Sequence, residues 1–149
     1  MKFYIRAMSE TKQKVEQDFY HRADVTLEHI MKLVLMPDHE SRNHWRKEIA
    51  TQFFKLPKFK GSNKYPTEKQ IFDWTYNKWA DEMHDPRWMQ NMMLRLCKDY
   101  RVTSPYTVKE FAVKVNRICK SYFAYVAQQL HLNQTLPSAD TYAFLDEVL

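Results

Sequence analysis

A chain of 149 residues, 44% hydrophobic and 28% charged, has enough apolar material for the core of one globular domain, which excludes an intrinsically disordered protein. Its single glycine, Gly61, argues against Gly-rich phosphate loops, dinucleotide-binding turns and tight β-hairpins, because these need backbone conformations that favour glycine. The net charge of +5 favours an acidic partner.

The N-terminal segment carries two successive patterns. Residues 1–8 alternate apolar with polar side chains, which is the period of a half-buried β-strand. A short N-terminal strand would need a partner, either residues 100–103 or a second copy of the chain; an unpaired arm is the other alternative. From Ser9, a helix N-cap, the spacing predicts one long helix that ends before Pro37. Its apolar stripe comprises Val15, Phe19, Ala23, Leu27, Ile30 and Val34.

Cap and stop residues mark the remaining helices in chain order. Ser41 begins a second helix that ends at Pro57, and residues 57–66 form a loop. The buried face of this second helix is Trp45, Ile49, Phe53 and Leu56. Later starts are marked by the capping boxes Thr67–Gln70 and Thr107–Glu110, by Asp85-Pro86, and by Ser138 or Asp140. The sequence therefore predicts an all-α fold, an irregular bundle of five or six helices in a single domain over residues 1–149.

The junction of the first two helices carries a family resemblance. From His29 the chain reads H-I-M-K-L-x-x-x-P-D-x-x-S-R, followed by Trp45, Arg46 and Ile49. This segment resembles the helix-Pro-helix signature of a bacterial all-helical family, domain of unknown function number twenty-nine, with the tryptophan one position later than in that family. The resemblance covers residues 29–49. It implies an all-α fold and implies no activity.

The strongest functional signal is a basic segment. Residues 41–64 carry seven cations against Glu48 alone, a net charge of +6, so the rest of the chain is close to neutral. Aromatic residues alternate with these cations, a mixture that suits phosphate groups and stacked bases. We predict that the segment binds an acidic partner, with nucleic acid favoured over protein; the alternative is that these side chains only solvate an exposed loop. The candidate binding residues are Arg42, Arg46, Lys47, Lys55, Lys58, Phe59, Lys60 and Lys64.

Two other functional hypotheses remain open. Trp74 and Trp88 fall off the predicted apolar stripes, so their exposure would form a contact surface for a protein partner or a second copy of the chain. Under that hypothesis the protein is an interaction or oligomerisation domain, such as an accessory or inhibitor protein of a mobile element. The third hypothesis is that the protein is an enzyme whose active site contains no recognisable sequence motif.

No motif predicts a catalytic residue, a cofactor or a metal. His44 and Glu48 are one helical turn apart, but a third ligand would have to come from elsewhere, for example His84 or Asp85, so we interpret them as a solvated pair. Cys97 and Cys119 lie on apolar stripes without metal-binding spacing, which predicts buried, reduced thiols. With a mean hydropathy of −0.66 and no signal peptide or membrane segment, we expect a cytoplasmic protein with no membrane partner.

Overall fold

A computed structural model describes residues 2–53, 66–132 and 136–149, with side chains described from residue 13 onward. The predicted all-α irregular bundle is confirmed. No described helix is both long enough and apolar enough to cross a membrane. In these ranges the chain forms seven helices, α1 (Lys2–Leu35), α2 (Arg42–Thr51), α3 (Glu68–Trp74), α4 (Tyr76–Met83), α5 (Pro86–Tyr100), α6 (Val108–His131) and α7 (Ala139–Val148).

The N-terminal strand considered for residues 1–8 is not formed. The backbone is helical from Lys2 onward, and Ser9 lies inside α1 rather than at its cap. The candidate partner strand is also missing, since Tyr100 ends α5 and Arg101 adopts the left-handed conformation with a φ of 54°. Without a partner, an extended segment would leave its backbone groups unpaired, whereas a helix satisfies them internally.

The predicted apolar stripe of α1 is confirmed, since all six of its residues are buried. Among the described helices, α6 contacts the most others, packing against α1, α3, α4, α5 and α7. Its buried face includes Phe111, Ile118 and Tyr122, and the Tyr122 hydroxyl donates a hydrogen bond of 3.2 Å to the carbonyl of Ile49 in α2. The buried residues of these helices form one continuous core.

The caps predicted for three helices are formed. The backbone N–H of Gln70 donates to the Thr67 hydroxyl over 3.1 Å at the start of α3. The capping box of Thr107 has the same geometry, with a distance of 3.2 Å, at the start of α6. Asp85 accepts a hydrogen bond from the backbone of Arg87 and precedes a proline at the start of α5. These helix boundaries therefore follow from local sequence.

The helix predicted from residue 67 is divided in two at Thr75. This residue has φ −116° and ψ −87°, and its hydroxyl donates to the carbonyl of Ile71 over 2.7 Å. In one continuous helix, side chains two positions apart point in nearly opposite directions, about 200° around the axis. The break lets both Trp74 and Tyr76 be buried, which accounts for the helix beyond the predicted five or six.

Candidate binding groove on α6

The basic segment is only partly within the described residues. Lys55, Lys58, Phe59, Lys60 and Lys64 lie outside them, so their predicted role remains a prediction. The side chains of the other three candidates lie on α2. Of these, Arg42 and Lys47 are exposed.

Arg46 is engaged within the protein. Its Nε and Nη2 atoms donate to the two carboxylate oxygens of Asp146 in α7 over 2.8 and 2.6 Å. The guanidinium also lies 5.7 Å from the ring centroid of Tyr142. Since both carboxylate oxygens are occupied, this is the bidentate arrangement in which arginine binds carboxylates most strongly. Arg46 therefore joins α2 to α7 and has to break this contact before it can bind a phosphate.

The two tryptophans proposed as contact residues occupy different environments. Trp74 is only 8% exposed and packs against Phe19, so its assignment to an exposed contact surface is wrong. The reason is the break at Thr75, which turns Trp74 toward the core. Trp88 is half-buried and stacks on Trp79 with ring centroids 5.8 Å apart. The Trp79 indole N–H donates to Asp24 over 2.5 Å, which fixes this pair against α1.

A groove lies between the first half of α6 and the turn that joins α4 to α5. Its volume is about 700 Å³, within the range that ligand sites occupy. Its walls are largely apolar, and charged or polar groups stand at the rim. The lining residues are Met83, His84, Pro86, Val108, Lys109, Ala112, Val113, Asn116 and Arg117.

The polar lining residues Asn116 and His84 are hydrogen-bonded to each other and to groups that lie behind the groove wall. The Tyr76 hydroxyl donates to Asn116 over 2.6 Å, and the Asn116 amide lies 3.3 Å from His84 Nε2. His84 Nδ1 lies 2.6 Å from the carbonyl of Ala80, which assigns the ring proton to Nδ1. Burial raises the pKa of Tyr76, so its hydroxyl keeps the proton that it donates. These hydrogen bonds hold the side chains of the wall in place and leave them few donors or acceptors for a ligand.

The rim of the groove on α6 is cationic around an exposed apolar residue. Val113 is 62% exposed, and Lys109 and Arg117 lie one helical turn before and one turn after it. Neither cation forms an ion pair with any side chain that the structure describes, although Arg117 donates to the carbonyl of Val148 over 3.2 Å. Val113 therefore offers an apolar contact, and Lys109 and Arg117 offer a positive charge on each side of it.

A second depression, of about 500 Å³, adjoins the groove on the other side of Val113. It includes Glu110, whose carboxylate accepts the backbone N–H of Thr107 over 3.1 Å. Hydrogen bonds from the Thr107 backbone and side chain hold the pKa of Glu110 below its usual value. Lys114, on the same side, donates to the Tyr106 hydroxyl over 3.0 Å. Glu110 is thus part of the helix cap and stays negatively charged, but the cations Lys109, Lys114 and Arg117 outnumber it at this surface.

The described side chains form neither of two features of enzyme sites, a cluster of metal ligands and a reactive cysteine. No three His, Cys, Asp or Glu residues among them lie close enough to hold a metal ion. Cys119 is fully buried and Cys97 is half-buried, and burial raises the pKa of both thiols. A raised pKa lowers the fraction of reactive thiolate. Neither cysteine has the environment of a nucleophile.

Comparison of the chain with protein-family models, with curated proteins and with solved structures gave no match. The resemblance of residues 29–49 to the helix-Pro-helix family therefore stays a prediction. The groove is the site that sequence reasoning missed. Its one sequence signal is the spacing Lys109, Val113, Arg117, which places an apolar residue between two cations on the face of α6 opposite its buried seam.

Proposed function

We propose that this protein is a non-enzymatic binding module that holds an acidic segment of a partner protein in the groove on α6. The observation that carries the proposal is the exposed Val113, flanked by two cations above an apolar groove. Full burial of a valine side chain contributes about 1.5 kcal/mol, so covering Val113 contributes about 1 kcal/mol before any charge is counted. Lys109 and Arg117 select a partner with carboxylates and raise its rate of association.

The composition of the groove favours a protein over a nucleic acid at this site. Nucleic acids bind through cations along a phosphate backbone and through aromatic faces on which bases stack. The described lining holds no phenylalanine, tyrosine or tryptophan, and most of its surface is apolar. Apolar side chains of a protein segment fit such walls, whereas phosphates and sugars would be desolvated there without compensation.

The test is selection from a library of random displayed peptides, with Val113→Glu and Leu94→Glu as matched variants. Both positions are exposed, at 62% and 54%, but Leu94 lies on α5 away from the groove lining. A glutamate at position 113 is flanked by cations one turn away on each side, so the variant should remain folded. We expect the native protein and Leu94→Glu to enrich peptides containing both acidic and apolar residues, and Val113→Glu to lose that enrichment. Equal enrichment by all three proteins would exclude the groove as the site.

A second candidate function is nucleic-acid binding by the basic segment. The exposed side chains of Arg42 and Lys47 on α2 favour it, while the engagement of Arg46 with Asp146 reduces the charge available. Titration of fluorescent single- and double-stranded oligonucleotides at about 50 and 200 mM salt tests it, because phosphate contacts weaken steeply with salt. Binding lost in a Lys58, Lys60 and Lys64 to Glu triple variant, yet kept in Val113→Glu, would assign nucleic acid to this segment.

The cellular compartment is also a proposal. Cys97 and Cys119 are both free thiols, which suits a reducing environment such as the cytoplasm. Recovery of the protein in the soluble cytoplasmic fraction of its source cells tests this expectation.

A further inference from the structure

We infer that the occupant of the groove is an amphipathic helix of the partner, with apolar residues at i, i+3 or i+4, and i+7 and with carboxylates about two turns apart. This inference rests on the proposed function, and it adds the conformation and the residue spacing of the partner segment. It follows from the hydrogen-bonding state of the walls, from the length of the groove and from the positions of its two cations.

The walls cannot satisfy the backbone of an extended peptide. A bound strand needs an unpaired sheet edge or an equivalent row of donors and acceptors, and every described element around the groove is a helix. Asn116 and His84 already bond to Tyr76, to each other and to the Ala80 carbonyl. An extended segment would therefore bury polar backbone groups without partners. A helix forms its backbone hydrogen bonds internally and presents only side chains.

The length of the groove matches the apolar face of a short helix. Its lining on α6 runs from Val108 to Arg117, which at a rise of 1.5 Å per residue is about 13 Å. Apolar residues at i and i+7 of a helix lie about 10 Å apart along its axis, so three anchors fit within this length. A volume of about 700 Å³ is large enough for several side chains, and thus for all three.

The two cations set the spacing of the partner's charges. Lys109 and Arg117 are eight positions apart on one helix, about 12 Å along its axis. A partner helix lying along α6 pairs with both when its carboxylates are seven or eight positions apart, on the side of the apolar stripe that faces α6. The described lining of the opposite wall, Met83, His84 and Pro86, carries no lysine or arginine, so carboxylates on that side of the partner gain nothing.

The inference is tested with three fluorescent peptides of about 16 residues. Isolated helices of this length are marginally stable in water. The first has leucines at the i, i+4 and i+7 positions and two glutamates seven apart on one flank. The second has the same composition with the leucines distributed around the helix, and the third has the first sequence with two central prolines. Binding is measured by fluorescence anisotropy, and helix formation by circular dichroism of the peptide in the complex.

We expect the first peptide to bind with a Kd at least about tenfold lower than the Kd of the other two. It should also gain helicity when bound. Lys109→Glu should weaken its binding severalfold, and a peptide with lysine in place of only the glutamate that faces position 109 should regain affinity for that variant. Lys98→Glu is the matched control, since it removes an exposed cation on α5 that does not line the groove, and it should leave peptide binding unchanged.

Other outcomes overturn the inference in distinguishable ways. If all three peptides bind equally and all lose affinity in Val113→Glu, the groove binds acidic segments but not as helices, so only the inference fails. If none binds, and the displayed library also enriches nothing, the proposed function fails with it. If the protein self-associates in sedimentation, and Val113→Glu abolishes the association while no peptide binds, the occupant is a second copy of the chain.

Discussion

Removing the ion pair between Arg46 and Asp146 should weaken the contact between α2 and α7. The pair joins residues one hundred positions apart through two hydrogen bonds of 2.8 and 2.6 Å. The variants Arg46→Ala and Asp146→Ala and their combination form a double-mutant cycle, which separates the pair from the other contacts of each side chain. The coupling free energy of the cycle is the quantity predicted.

The expected coupling is about 1 kcal/mol, at the upper end of the values for surface ion pairs. The bidentate geometry favours a large value, and the side chains are only 20% and 45% exposed, so water screens the pair incompletely. The coupling should fall by about half near 1 M salt, where the Debye length is about 3 Å. Arg46→Ala alone should cost more than Asp146→Ala, because it also removes the contact of the guanidinium with the Tyr142 ring.

Urea unfolding at neutral pH, followed by circular dichroism, measures the four free energies of the cycle. The chain offers a matched control in Lys69 and Asp73, an ion pair one helical turn apart whose atoms are 3.5 Å apart and whose lysine is 88% exposed. We expect a coupling of about 0.3 kcal/mol there. An equally small value for Arg46 and Asp146 would refute the reasoning. It would also return Arg46 to the cations available to a nucleic acid.

Three further predictions concern the backbone, pH and the thiols. Arg101→Gly should either leave the stability unchanged or raise it by up to about 1 kcal/mol in urea unfolding, because a φ of 54° is unfavourable for arginine but not for glycine; a clear loss of stability would count against this. Burial lowers the pKa of His29, so stability should fall as the pH drops through the ordinary histidine value of about 6.5, and His29→Gln should flatten that part of the curve of urea midpoint against pH. An unchanged slope would show that another group is responsible. Ellman's reagent should modify Cys97 slowly in the native protein and Cys119 only after unfolding, and rapid modification of both thiols in native buffer would contradict the described burial.

Features encoded by neighbouring residues could be predicted from the sequence. The stripe from Val15 to Val34 repeats at the helical period, and every member is buried. The capping boxes at Thr67 and Thr107 use side chains three positions apart, so their formation depends little on the rest of the fold. The all-α class followed from these local signals together with the single glycine.

Features that depend on distant residues could not be predicted in this way. The alternation in residues 1–8 indicates a strand or an arm, but a strand needs a partner, and the described residues form a helix there and no strand elsewhere. The burial of Trp74 depends on the helix break at Thr75, and the sequence has no proline or glycine there that would predict a break. Arg46 looked available for binding because its partner Asp146 is remote in sequence. The groove likewise exists only because the turn between α4 and α5 lies against α6.

The position of α6 at the centre of the bundle has a consequence for hydrogen–deuterium exchange. Because α6 packs against five other helices, its amides should open only when the whole protein unfolds, and a partner in the groove can add little protection there. The opposite wall ends in the exposed turn of His84 and Asp85, whose amides bond only to carbonyls of the last turn of α4. Occupancy of the groove should therefore slow exchange at this turn first. Exchange at the α4–α5 turn would then report occupancy of the groove, while exchange in α6 would report the unfolding of the whole protein.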